Sequence, residues 1–274
     1  VLVDEMNIVS GLLTSRQWPQ VAIMRVMSPN IMPYPWHYAY FHHLSVELFG
    51  TGFFGLRFAD AVIGALSVPA MYGVGRLMVN RAVGWLGALL LMTFPLHLHL
   101  TRLALINTMD VLILTLLVFL LLRALKLGYA TDYVLVGVLI GLSQYFYAGV
   151  RLTAGPLALS MVLWAVLIAR WRINWGGVLR AVIAATLIAA PLYLTWWIGD
   201  VNVGGRFATN SLGGEYFYKM LTSPWSEGWL PRWLDQIYSA FAIYVLLPDP
   251  SPFYLGSTAM ILPYLVPFFL IGVV

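Results

Sequence analysis

Long apolar runs constrain this chain more than any other feature of its sequence. They follow one another with short connections, and each is bounded by charged residues or by Gly and Pro. Since a helix needs about 20 apolar residues to cross the hydrocarbon core of a bilayer, each run predicts a membrane-spanning helix. The predicted spans are 55–77, 82–100, 109–126, 133–149, 152–169, 177–198 and 257–274.

Composition excludes a soluble domain. Hydrophobic residues make up 61% of the chain and charged residues only 9%, whereas soluble domains are about 25% charged. We therefore predict an all-α, polytopic integral membrane protein. The net charge of +4 does not indicate a nucleic-acid partner, because the 15 basic residues form no basic stripe. The absence of Cys leaves no disulfide and no thiolate metal site.

The distribution of basic residues favours one orientation. The short connections predicted to lie inside hold seven basic residues, whereas the short outer connections hold only Arg102 and Arg151. By the positive-inside rule, the start of the chain is then outside. We expect a plasma (inner) membrane protein with loops 1–50 and 199–256 on the extracytoplasmic side. The basic residues predicted inside are Arg76, Arg81, Arg123, Lys126, Arg170, Arg172 and Arg180.

The predicted organisation is a single transmembrane domain over 1–274. A first outer loop (1–50) precedes a six-helix membrane core (55–198), which a second outer loop (199–256) and a last span (257–274) follow. Both outer loops contain amphipathic patterns, near 5–13, 36–49 and 233–245, which predict interfacial helices. We also expect a preceding helix and a C-terminal part beyond this sequence.

Asp4 and Glu5 form an acid pair at the start of this apolar chain. Acids are favoured at a solvated helix N-terminus by the helix macrodipole. A carboxylate here can instead serve as a general base that faces a lipid-borne substrate. The residue types alone leave both interpretations open.

Three charged residues lie at predicted outer helix ends. Arg102 stands beside hydrocarbon, where a guanidinium either snorkels to the interface or pairs with an anion such as a lipid phosphate. Arg151 follows an aromatic stretch and has the same alternatives, a snorkelling anchor or a contact to phosphate or sugar. Asp110 fits an ordinary first-turn helix acid as well as a functional one.

His97 and His99 form an H-x-H pair. These two side chains could ligate a metal together only if the residues between them were extended. Two imidazoles without a third ligand are a weak signal for zinc. No metal site is therefore predicted, the pair remains a weak candidate, and a divalent metal stays open as a cofactor.

Several short motifs, taken in order, resemble the GT-C glycosyltransferases, above all the protein O-mannosyltransferase and aminoarabinose transferase branch. The likeness covers about 1–130 and continues more loosely to Arg151. Tyr34 departs from the family pattern by interrupting the usual Pro-Pro pair. Besides the acid pair Asp4-Glu5, the motifs are Pro33-Tyr34-Pro35-Trp36, Glu47-Leu48-Phe49-Gly50, Gly55-Leu56-Arg57-Phe58-Ala59-Asp60-Ala61, His99-Leu100-Thr101-Arg102 and Asp110.

The resemblance implies a GT-C-like fold and an inverting glycosyltransferase at the outer face of the membrane. Its donor substrate would be a polyprenyl-phosphate sugar, and its acceptor a protein, lipid or glycan. The resemblance makes Asp4 the candidate base with Glu5 beside it, and Arg102 a candidate donor-phosphate ligand. Because charge develops on the leaving phosphate, Arg151 is a second candidate donor-phosphate ligand. Asp110 becomes a supporting acid.

A non-catalytic membrane subunit or scaffold of a larger complex is the alternative, with membrane protein partners docked on the outer loops. A transporter fits less well, because the spans hold little mid-span charge. A cavity shared by Asp4 and Arg102 would favour the enzyme. A partner packed over Asp4 would favour the subunit.

Overall fold

The computed structural model describes residues 36–105, 107–198, 222, 229–248, 259–261 and 263–273. Every regular element in these ranges is helical, which confirms the all-α prediction. The chain divides into two compact units between Val201 and Asn202. The first unit contains α1 (Trp36–Phe49), α2 (Phe53–Met78), α3 (Arg81–Thr93), α4 (Pro95–Leu100), α5 (Thr108–Leu127), α6 (Ala130–Ser143), α7 (Ala148–Leu167) and α8 (Trp175–Ile198). The second contains α9 (Trp229–Val245), a 3-10 turn (Pro263–Leu265) and α10 (Val266–Val273).

Four described helices are long and apolar enough to cross a membrane, and the protein is an integral membrane protein. They are Phe53–Met78, Thr108–Leu127, Gly149–Leu167 and Trp175–Leu194. Each overlaps one of the predicted spans. The apolar helices α3 and α6 are shorter, with 13 and 14 residues. The total of about seven spans therefore stays a prediction.

Two predicted spans differ from the helices observed. The run 82–100 is split, because α3 ends at Thr93 and α4 begins at Pro95. Phe94 between them has an extended ψ of 118°, as expected for a residue whose α conformation clashes with a following proline ring. The run 133–149 also ends early, at Ser143, where the Ser143 hydroxyl and the Gln144 amide both donate to the carbonyl of Ile140.

The helix predicted near 36–49 is confirmed as α1. It ends at Phe49, and the next residue, Gly50, has a φ of 85° that glycine adopts without strain. The chain then turns and starts α2 at Phe53, so α1 does not merge into the following span. The helix predicted near 233–245 is confirmed as part of α9.

Helix α5 is the centre of the first unit and packs against α2, α6 and α7. Its side chains Leu117 and Ala124 are fully buried. Helix α6 also packs closely along α8, because its Gly137 and Gly141 let the α8 backbone approach near Ala181 and Ala185. Small residues four apart are typical of close helix pairs in membranes.

The connections α2–α3, α5–α6 and α7–α8 meet at one end of the first unit. The Lys126 ammonium, at the end of α5, donates to the carbonyl of Leu77 in α2 and lies 5.5 Å from the ring centre of Trp171. The Asn174 side chain donates to the carbonyl of Gly128 at 3.3 Å. Because successive helices alternate in direction, the connections 94–107 and 144–147 lie at the other end, where Arg102, Asp110 and Arg151 are found.

Candidate active site

The carboxylate of Asp110, in the first turn of α5, lies against the start of α7. It is hydrogen-bonded to the backbone of Val150, and a Cβ built on Gly149 would collide with its Oδ2. The first N–H groups of a helix have no partner within the helix, and its N-terminus favours negative charge. Asp110 therefore satisfies the start of α7 from a neighbouring helix.

Arg151 lies in the first turn of the same helix and is half-buried. Its Nη2 donates to the carbonyl of Phe146 at 3.0 Å, so the guanidinium points back over the connection that precedes α7. The Gln144 amide donates to the carbonyl of Arg151, and its oxygen accepts from the Tyr193 hydroxyl at 2.8 Å. The structure thus brings Asp110 and Arg151 to one helix start, which is tied to α8 through Gln144.

Arg102 lies on the connection between α4 and α5 and is exposed. Its backbone N–H donates to the carbonyl of His99 at 3.2 Å. A solvent-accessible guanidinium can bind an anionic ligand reversibly, such as a lipid phosphate.

His97 is buried against α2. It is hydrogen-bonded to the backbone of Gly64, and the Thr101 side chain also fills the space over that glycine. Burial lowers the pKa of His97 below its usual value, and the hydrogen bond to Gly64 opposes this effect. The ring is therefore held towards its neutral form and contributes to packing between α4 and α2.

The H-x-H pair does not meet the condition set for metal binding. Both histidines lie within α4, where side chains two residues apart point to different faces of the helix. Across the residues that the structure describes, no group of three or more His, Asp or Glu side chains is arranged to hold a metal ion. His97 and His99 thus have no shared geometry for one ion.

Asp4 and Glu5 lie outside the described residues. The shared pocket of Asp4 and Arg102 therefore stays a prediction, as does the role of each acid. Within the described part of the chain, the candidates that the structure brings together are Asp110 and Arg151.

A buried pair, His42 and Asp60, was not predicted from the sequence. The Nε2 atom of His42 lies 3.2 Å from Oδ2 of Asp60, and both side chains are 0% exposed. A signal was present in the sequence, because Asp60 stands inside the apolar run 55–77. An acid within a membrane span is rare and normally has a partner.

Apolar helices with charged groups gathered at their ends define a polytopic helical membrane protein. The family model of the dolichyl-phosphate-mannose-protein mannosyltransferases matches residues 34–197, which is more than half of the chain. The chain belongs to this family, and membership indicates a membrane glycosyltransferase that uses a lipid-linked sugar. The resemblance to GT-C enzymes is thereby confirmed. Neither a curated protein nor a solved structure gives a match to this chain.

Proposed function

We propose that this protein transfers a sugar from a polyprenyl-phosphate donor to an acceptor hydroxyl or amine at the outer face of the membrane. The family match carries the proposal, since residues 34–197 include almost all of α1 to α8. The outer orientation is supported by the basic residues near Lys126 at one end of the first unit, which favour an inner location for that end.

The proposed reaction is a direct displacement at the anomeric carbon of the sugar. The acceptor gives its proton to the carboxylate of Asp4, and its oxygen or nitrogen forms a bond to the anomeric carbon. The bond between that carbon and the phosphate oxygen breaks, so the anomeric configuration inverts. A positioned general base typically contributes about 10²- to 10⁴-fold to the rate. Glu5 would support the charge of its neighbour.

The departing polyprenyl phosphate gains negative charge, which a nearby cation must stabilise. Arg102 is the primary candidate because its guanidinium is exposed at the end of the first unit that holds Asp110 and Arg151. Arg151 is a second cation there, though its Nη2 already donates to Phe146. A preorganised donor aimed at developing charge is worth about 10²- to 10³-fold in kcat. Asp110 supports this arrangement by holding the start of α7.

Donor binding by the reconstituted protein tests the phosphate contact. The ligand is a labelled short-chain polyprenyl-phosphate mannose, and the competitor is the sugar-free polyprenyl phosphate. Arg102→Gln should weaken binding of both at least 10-fold. The matched control is Arg172→Gln, because Arg172 is also exposed but lies in the connection between α7 and α8. Equal affinity in both variants would remove Arg102 from the donor site.

Turnover of the same donor tests the base. Asp4→Asn should lower turnover about 100-fold or more, as expected when a general base is lost, while donor binding is retained. Asp235→Asn, a change to an exposed acid on α9, is the control and should leave turnover unchanged. Full turnover in Asp4→Asn would remove this carboxylate from the mechanism.

A further inference from the structure

Three cations lie where the ends of α2, α5 and α7 meet, in a part of the first unit that the proposed reaction does not use. Arg76 belongs to the last turn of α2 and Lys126 to the last turn of α5. Arg170 follows α7, which ends at Leu167. All three side chains are exposed. We call this group of Arg76, Lys126 and Arg170 the basic junction.

The contacts of Lys126 bring the three cations together. Its ammonium donates to the carbonyl of Leu77, the residue after Arg76. It also lies 5.5 Å from the ring centre of Trp171, the residue after Arg170. A cation is attracted by the quadrupole of an indole ring. These two contacts hold the Lys126 ammonium in place, and its three hydrogens leave donors for a further acceptor.

The connections at this end hold little negative charge to balance the basic junction. In the sequence from 76 to 82, from 123 to 132 and from 168 to 180, the only acid is Asp132. Its side chain is fully buried and lies 2.8 Å from Nε of Arg123. Within these described connections, the basic junction therefore presents its positive charge at the surface.

Arg170 has a backbone conformation that favours glycine. Its φ is 53°, and among the described residues it is the only non-glycine residue with a positive φ. The left-handed conformation is costly for an ordinary L-residue, and helices commonly end with a glycine that adopts it. The positive-inside rule requires basic residues near this end, but it does not require one at this position. The arginine therefore indicates a use for its cation.

Exposed apolar side chains lie beside the cations of the basic junction. Leu127, directly after Lys126, is 53% exposed, and Leu167 and Ile168 at the end of α7 are 69% and 71% exposed. A soluble anion would gain nothing from this apolar surface. A phospholipid has both a phosphate that binds cations and acyl chains that cover apolar side chains. The combination therefore fits a lipid better than a soluble anion.

We infer that the basic junction binds the phosphate of an anionic phospholipid, whose acyl chains pack along the adjacent ends of α5 and α7. Candidate spans end at Met78, Leu127 and Leu167, so the three cations lie at the level of the lipid headgroups. The orientation predicted from the basic residues places this end at the cytoplasmic leaflet, whose surface carries anionic lipids. The inference does not rest on the proposed sugar transfer.

Lipid binding by the purified protein in a neutral detergent tests this inference. The ligands are dioctanoyl-phosphatidylglycerol, dioctanoyl-phosphatidylcholine and glycerol phosphate, and native mass spectrometry measures their affinities. The choline lipid has the same chains without net negative charge, and glycerol phosphate has the anion without chains. We expect phosphatidylglycerol to bind about 10-fold more tightly than either, because each cation near an anionic headgroup adds to the attraction.

Arg170→Gly removes one cation without strain, because glycine readily adopts a positive φ. The variant should therefore unfold at the same temperature as the parent or at a higher one. Combined with Arg76→Gln, it should weaken phosphatidylglycerol binding about 10-fold and leave phosphatidylcholine binding unchanged. The matched control is Arg180→Gln, which removes an exposed cation within α8 and should leave both affinities unchanged.

Weaker phosphatidylglycerol binding in the double variant, but not in Arg180→Gln, supports the inference. Equal affinity for the two lipids overturns it, as does unchanged phosphatidylglycerol binding in the double variant. An equal loss in Arg180→Gln would show a general effect of net charge and overturn it too. Glycerol phosphate bound as tightly as phosphatidylglycerol would overturn it in favour of a soluble anion. Should the double variant fail to fold, Arg170→Gly alone decides by the same criteria.

Discussion

At the scale of single residues, Asp110 and Gly149 depend on each other. The carboxylate reaches the backbone of Val150 only because Gly149 has no side chain at the point of approach. The interpretation of Asp110 as a helix-start acid was open from its sequence position. The structure adds that it serves the start of α7 rather than only its own helix α5.

Gly149→Ala is therefore expected to destabilise the protein. The added methyl group would collide with the Asp110 carboxylate, and overpacking of this kind typically costs about 1–3 kcal/mol. Thermal unfolding of the detergent-solubilised protein measures the effect. Gly155→Ala is the matched control on the same helix, since nothing lies within 4 Å of the added atom. Gly155→Ala should raise the free energy of unfolding by about 0.5–1 kcal/mol, because alanine lowers the backbone entropy of the unfolded chain. Equal effects of Gly149→Ala and Gly155→Ala would contradict the close contact between Asp110 and Gly149.

His97 gives a pH-dependent contribution to stability. Its pKa is lowered in the folded protein, mainly by burial. The unfolded chain therefore binds the proton more readily, so the contribution is complete above the unfolded pKa of about 6.5. It is lost as pH falls from there through the lower folded value. Unfolding temperatures between pH 7.5 and 5 should fall more steeply for the wild type than for His97→Gln, and parallel curves would contradict this.

Part of this residue-level picture was predictable from the sequence. Charge at a membrane boundary singled out Arg102, Asp110 and Arg151, because such groups are costly beside hydrocarbon. The partner of Asp60 was not predicted, since His42 is distant in sequence and α1 carries two other histidines. Pairing across a turn depends on how two helices pack, which hydrophobic periodicity does not specify.

At the scale of helices, close contact between α6 and α8 depends on glycine. Gly137→Ala would place a methyl group against the backbone of Ala181, where neither side can move cheaply. We expect a loss of about 1–3 kcal/mol in thermal unfolding. The control is Gly87→Ala on α3, where the nearest atom belongs to the flexible Met71 side chain at 3.6 Å. A Gly137→Ala protein as stable as this control would show that the two helices are not so close.

An ion pair joins α5 to α6, and substitution of its two partners should lower the free energy of unfolding by unequal amounts. Arg123 Nε donates to Asp132 Oδ2 at 2.8 Å, and the arginine is 40% exposed whereas the aspartate is fully buried. Arg123→Gln leaves a buried carboxylate without its cation and should cost about 3–5 kcal/mol. Asp132→Asn leaves a guanidinium that water can reach and should cost about 1 kcal/mol. Equal losses in chemical unfolding would contradict this difference.

The sequence predicted which segments form helices better than it predicted where those helices end. The apolar runs at 55–77 and 109–126 became α2 and α5 because both length and composition fit a membrane span. The run 82–100 was misread as continuous, although Pro95 lies within it and disfavours helix at Phe94. Ser143 and Gln144 likewise end α6 through local hydrogen bonds that hydropathy does not register.

At the scale of the whole molecule, the family match indicates the class of chemistry. Residues 34–197 belong to a family of lipid-linked sugar transferases. Arg102 lies on the connection before α5, and Arg151 lies in the first turn of α7. Composition alone established a membrane protein. The activity followed from motif order, because fold class by itself does not specify function.

The class of sugar donor tests the central claim most directly. The purified protein in lipid nanodiscs would receive mannose carried either by a labelled polyprenyl phosphate or by a nucleoside diphosphate, with membrane extract as the source of acceptors. Labelled product should form only from the polyprenyl-phosphate donor, with release of polyprenyl phosphate and loss of turnover in Asp4→Asn. Transfer from the nucleotide sugar, or none from the lipid-linked sugar, would contradict the account.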